Sequence, residues 1–100
     1  TVQRVTRTEA RVICCGHTDV ADLRELGRKL LVNPGSCGYA FEDTPDACWG
    51  LLVLDEDEEP QAELHRASYD PSGAAEEVAE RGLPGDVYRA ATIRTGRFVR

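Results

Sequence analysis

At 100 residues, with 41% hydrophobic and 30% charged side chains, the chain has the length and composition of one globular domain with a small core. Its formal net charge of −6, from 18 acidic and 12 basic residues, argues against the broad electropositive surface that binds nucleic acid. No apolar run approaches the ~18 residues that span a bilayer, and Thr1-Val2-Gln3-Arg4 does not resemble a secretory leader, so a cytoplasmic protein without membrane association is expected.

In chain order, Thr1 to Ala10 is polar, with Val2 and Val5 at helical spacing, and reads as the tail of a helix or a loose end. The chain contains no methionine, which fits either a removed initiator or a start within a longer protein. Arg11-Val12-Ile13-Cys14-Cys15 is short, β-branched and apolar, and stops at Gly16; it reads as a buried strand running into a loop. Ala21 to Val32 admits two readings. Leu23, Leu26, Leu30 and Leu31 fit a helical stripe, while Gly27-Arg28 equally suits the turn of a hairpin between Asp22–Leu26 and Lys29–Val32. Asn33-Pro34-Gly35-Ser36 then breaks any regular element, because proline fixes φ and glycine permits positive φ.

Ala47 to Asp55 is the clearest strand. Its near-continuous apolar character predicts burial on both faces, as in a central strand. The acidic run Asp55-Glu56-Asp57-Glu58-Glu59 reads as a solvated turn, since like charges repel and stay hydrated. Gln61 to Ser68 alternates and completes an antiparallel hairpin. Asp70 as N-cap and Pro71 in the first turn open a helix that Gly82 stops. Gly85-Asp86 begins a second helix, ending near Gly96. The expected class is α/β (α+β), strands first and two C-terminal helices last.

Cys14, Cys15, Cys37 and Cys48 form no C-x-x-C pair and are expected to be small, buried, reduced thiols. A redox role for Cys14 and Cys15 is disfavoured, because neighbours in a strand point to opposite faces. His65, between Glu63 and Arg66, reads as a surface histidine, and Trp49 and Tyr69 as core or hairpin packing. His17 differs. It follows a strand end directly after Gly16, where α/β sheets often carry active-site loops. Asp19 lies two residues on, and in an extended segment the two side chains would point the same way, toward one metal cluster.

The order of these features resembles the end of a calcineurin-like metallophosphoesterase, of the bacterial and archaeal phosphoesterase kind. The matching features are Val12-Ile13-Cys14-Cys15 leading into Gly16-His17-Thr18, then Leu31-Val32-Asn33-Pro34-Gly35-Ser36-Cys37-Gly38. The strand Ala47–Leu54, then Ser68-Tyr69-Asp70 and Gly82-Leu83-Pro84, extend the resemblance over residues 10–96. It implies part of a four-layer α/β/β/α sandwich, with residues 1–100 as the C-terminal portion of one domain. It also implies hydrolysis of a phosphomonoester or phosphodiester, in a small molecule or nucleotide, by a water activated on two divalent ions (Mn, Fe, Zn or Ni).

In that family a Gly-His-x-His loop supplies one histidine to each metal. By the match His17 is a ligand, and Asp19 stands where the second histidine is expected. The Asp-x-His, Gly-Asp-x-x-Asp, Gly-Asn-His and lone-histidine motifs that precede this loop in the family are absent here. The resemblance therefore implies an N-terminal half of the same protein as partner, with the 100-residue chain inactive alone; it leaves room for a homo-oligomer. Asn33 and Ser36 are candidates for orienting the metal loop, against the plainer reading of a tight turn satisfying its own backbone. The rival function is a non-catalytic binding or regulatory module with a degenerate metal site, favoured by Asp19 in place of histidine.

Overall fold

The computed structural model describes Val5 and residues 7–99. Of residues 1–10, read as a helix tail or a loose end, Val5 and Arg7 are helical and Thr8 to Ala10 have no regular structure; the other five lie outside the described residues. The ambiguous stretch resolves as a hairpin. Asp22–Leu26 (β2) pairs antiparallel with Lys29–Asn33 (β3) across a two-residue turn in which Gly27 takes φ 64°. Val12–Cys14 (β1) runs parallel to β3 on its other side, with Val12 opposite Leu30 and Cys14 opposite Val32. The order β1-β3-β2 puts β3 in the centre. Hence Leu30, Leu31, Val32 and Asn33 are all buried: of the leucines that fit a helical stripe, Leu30 and Leu31 serve a strand paired on both edges, while Leu23 and Leu26 lie on the edge strand β2.

Ala47–Val53 (β4) and Gln61–Ala67 (β5) form the second, antiparallel sheet, with Trp49 opposite His65 and Leu51 opposite Glu63. The acidic residues lie in the exposed connection, where Asp55 Oδ1 accepts the Asp57 amide at 3.0 Å. The expectation that this strand is buried on both faces is not met. Cys48 is buried, but Trp49, Leu51 and Val53, which alternate onto the opposite face, are 46%, 46% and 49% exposed. Among the described residues β4 pairs as a strand only with β5, and no other strand or helix packs closely on it.

Two helices close the chain, giving the α+β order of strands first and helices last. Ser72–Glu80 (α1) begins one residue later than the sequence suggests: Pro71 occupies the cap position, while Asp70 Oδ1 accepts the Ser72 amide at 3.0 Å. Asp86–Thr95 (α2) starts after Gly85 and stops at Gly96, both left-handed. The helices pack on each other around Ala75, Ala90 and Thr92. Segment 41–46 anchors the end of α2. The Asp43 amide donates to Gly96 O at 3.0 Å, Phe41 meets Phe98 edge-on at 5.7 Å, and a Cβ on Gly96 would collide with the Thr44 backbone.

The molecule is drawn out. Its radius of gyration is 16.4 Å, against about 13 Å for a compact 100-residue domain. Its accessible surface is 7195 Å², where a folded monomer of 11.0 kDa has about 5,600 Å². The surface left open includes the large apolar side chains Trp49, Leu51, Val53, Leu54, Leu83 and Val87.

Candidate metal loop

The loop between β1 and β2 is positioned by the parallel ladder. The Cys15 amide donates to Val32 O at 2.9 Å, extending the β1–β3 pairing one residue before the chain departs. Gly16-His17-Thr18-Asp19 therefore leaves the sheet beside the end of β3, where Asn33 sits. His17 is exposed and Asp19 half-buried. Neither side chain has a hydrogen bond or ion pair among the described residues. A groove of about 700 Å³ runs beside the loop, lined in part by Cys15, Thr18, Arg24 and Asn33.

The segment is not extended. His17 has φ 74° and Asp19 φ 60°, left-handed conformations that cost a non-glycine residue about 1–3 kcal/mol each. Side chains at i and i+2 point the same way only on a strand-like backbone, so His17 and Asp19 are not aligned in that manner. Histidine and aspartate are among the residues that tolerate this region best, and two of the three non-glycine residues with positive φ among the described residues are the candidate ligands, the third being Asp43.

The residue between them holds the loop. Thr18 Oγ1 accepts the Asn33 side-chain amide at 2.9 Å, and the Thr18 backbone amide donates to Gly16 O at 2.9 Å. Asn33 is 5% exposed, and its Oδ1 accepts the Gly35 amide at 3.0 Å. One buried side chain thus closes its own turn and ties down the loop. Ser36 does not reach the loop. Its Oγ accepts the amides of Gly38 and Tyr39 at 3.3 and 2.7 Å, and its carbonyl accepts the Cys48 amide at 2.9 Å.

Gly35 and Thr18 are the site residues that reasoning from the sequence passed over. Gly35 takes φ 79°, and a Cβ there would approach Cys48 Cβ at 3.2 Å and Ala21 Cβ at 3.3 Å. Only glycine lets the turn lie between the end of the candidate loop and the start of β4.

The cysteines are not as expected: Cys14, Cys15 and Cys37 are exposed free thiols and only Cys48 is buried. β1 is an edge strand, and no layer of the described residues covers its end. His65 is a surface residue as expected, stacked on Trp49 at 4.6 Å with its Nε2 3.0 Å from Glu63 Oε2.

An imidazole and a carboxylate are donor types that suit a divalent first-row ion. As a set they are too few. Among the described residues no three His, Cys, Asp or Glu side chains converge on a common point, whereas such ions take three or four protein ligands. The donors fit in kind, and any ion they hold must be completed by groups from elsewhere.

No protein-family model and no curated protein sequence matches the chain. Among solved structures it is similar to a metallophosphoesterase from Sphaerobacter thermophilus, with a TM-score of 0.68 and 17% identity over 92% of this chain and 44% of that one. A Vps29 single mutant from Entamoeba histolytica aligns at 24% identity over 66% of this chain and 43% of that one, with a TM-score of 0.42, too low to bear on the fold. At 17% identity the first likeness speaks for the fold alone. No helix among the described residues is long and apolar enough to cross a membrane. The chain carries the fold of a metallophosphoesterase over less than half of that enzyme's length.

Proposed function

We propose that residues 1–100 are the C-terminal portion of a cytoplasmic, divalent-metal-dependent phosphoesterase and supply its last metal loop. His17 is a ligand in this reading, and Asp19 serves in place of a second histidine. Asn33 positions both through Thr18. Ser36 acts one step further away, by fixing the turn to β4. The remaining ligands and the substrate pocket come from an N-terminal portion of the same protein. Bound there, a pair of ions (Mn, Fe, Zn or Ni) would polarise a phosphomonoester or phosphodiester and activate the attacking water.

The observation that carries this reading is the loop itself: two unpartnered donors on left-handed backbone, held from between by a buried asparagine. The test is hydrolysis of model phosphomonoesters and phosphodiesters by the longer polypeptide with added Mn²⁺. Turnover that His17→Ala abolishes and that the 100-residue chain alone lacks is the expected result. A longer polypeptide inactive on every such substrate, with metal content unchanged by His17→Ala, rejects it.

The second reading, a non-catalytic binding module, draws on one observation: the donors on this chain fall short of a metal shell, and one is an aspartate where the resemblance expects histidine. An empty site in the longer polypeptide at neutral pH would favour it.

A further inference from the structure

We infer that the cleft between the two C-terminal helices binds a small organic anion: an apolar body, aromatic or aliphatic, carrying one carboxylate or phosphate-type group. This site is separate from the candidate metal loop and does not depend on the phosphoesterase reading.

Helical spacing builds the cleft. At the end of α1, Val78 and Arg81 are three positions apart and share a face. On α2, Asp86, Arg89 and Ile93 recur at intervals of three and four and share another. The connection 81–85 is short because Gly82 and Gly85 take φ 70° and 84°. The two faces therefore open toward each other. Tyr39 joins them from the turn in which Ser36 Oγ accepts its amide. With Leu83, these residues border a volume of about 400 Å³, within the roughly 300–1,000 Å³ usual for small-molecule sites.

The lining has an apolar part and a charged part. Val78, Leu83, Ile93 and the Tyr39 ring form the apolar wall. Leu83 is 58% exposed, so a ligand lying against it would take apolar surface out of water. Arg81 and Arg89 are exposed, and neither side chain has an ion pair or hydrogen bond among the described residues. Glu77 stands four residues before Arg81 and Asp86 three before Arg89, spacings that allow ion pairs, yet neither pair forms. Asp86 is buried instead, and its Oδ2 accepts the Leu83 amide at 2.8 Å, bracing the connection. The Tyr39 hydroxyl also has no partner among the described residues.

Charge selects the occupant. Two guanidinium groups against one buried carboxylate leave the lining positive, in a chain whose net charge is −6. Guanidinium forks match carboxylate and phosphate oxygens, and a cationic ligand would meet like charge. A bare inorganic anion would satisfy the arginines and leave Leu83 and Ile93 uncovered. An anion on an apolar body uses both parts of the lining.

The test is an NMR titration of phenylphosphonate, benzoate, inorganic phosphate and benzyl alcohol into metal-free samples of the 100-residue chain and of the longer polypeptide. Phenylphosphonate has no phosphoester bond to hydrolyse, and removal of metal keeps it from the His17 loop. At least one aromatic anion should shift the Leu83, Arg89 and Ile93 resonances saturably, with a dissociation constant of about 1 mM. The tighter of the two tells a phosphate-type from a carboxylate ligand. Inorganic phosphate and benzyl alcohol should each bind about tenfold more weakly. Arg81→Gln and Arg89→Gln should each weaken binding about tenfold. Arg94→Gln, the same charge change at an exposed residue outside the cleft, should leave it unchanged. The inference is overturned if neither aromatic anion gives saturable shifts at these residues, if inorganic phosphate binds as tightly as they do, or if Arg94→Gln weakens binding as much as Arg89→Gln. Binding to the 100-residue chain that the longer polypeptide lacks also overturns it, since the cleft would then be an internal contact of the longer protein.

Discussion

The Asn33 side-chain amide donates to Thr18 Oγ1 at 2.9 Å, joining the end of the central strand to the middle of the candidate metal loop. Asn33 is buried, and its other side-chain atom closes the turn to Gly35. Asn33→Ala removes both bonds at once. At roughly 0.5–1.5 kcal/mol net for each, the chain should lose about 1–3 kcal/mol in urea unfolding. A double-mutant cycle with Thr18→Val should return a coupling of about 1 kcal/mol. Additive effects would show that the contact holds nothing.

Gly35→Ala should destabilise the chain by about 1–3 kcal/mol, because φ 79° is strained for alanine and the new methyl meets Cys48 and Ala21 at 3.2–3.3 Å. Gly38→Ala is the control: its Cβ would meet nothing within 4 Å and its φ is not positive, so a change within about 0.5 kcal/mol is expected. Equal melting curves for the two variants would remove Gly35 from the account.

Much of the fold was legible because it is written in local chemistry. The Gly27-Arg28 turn, the acidic connection and the glycines ending both helices each mark a boundary where the structure has one. What failed was any inference that depended on a neighbour. The apolar run of β4 was read as buried on both faces, since composition records a need for burial and not the element that meets it. The three exposed cysteines follow the same logic. At the site, His17 and Asp19 were legible as donors from residue type and place. Their left-handed backbone was not, since histidine and aspartate tolerate that region without requiring it as glycine turns do. The Thr18–Asn33 bond spans 15 positions and has no local trace.

Asp70 gives a pH dependence with a definite sign. Hydrogen bonds from the backbone and then the side chain of Ser72 hold its carboxyl below the ordinary carboxylate range, against a smaller opposing effect of burial. A folded pKa below the unfolded one means that the contribution is present above the ordinary carboxylate pKa and is lost as pH falls through the depressed value. Protection of the Ser72 amide should therefore exceed that in Asp70→Ala at neutral pH, and the two should converge in strong acid. A difference that persists in acid would show that the bond is not charge-assisted.

The 100-residue chain should retain no Mn²⁺ or Zn²⁺ after dialysis, because it offers two donors where such ions need three or four protein ligands. A tight stoichiometric ion in this chain alone would mean that the loop is complete without further groups.

The most direct test of the central claim is the metal content of the longer polypeptide, measured by elemental analysis beside His17→Ala and Asn33→Ala. The account predicts bound divalent metal in the parent, at least one equivalent lost in His17→Ala, and weakened retention in Asn33→Ala, whose loop has lost its anchor. Metal content unchanged by His17→Ala, or a parent that binds none at neutral pH, would contradict it.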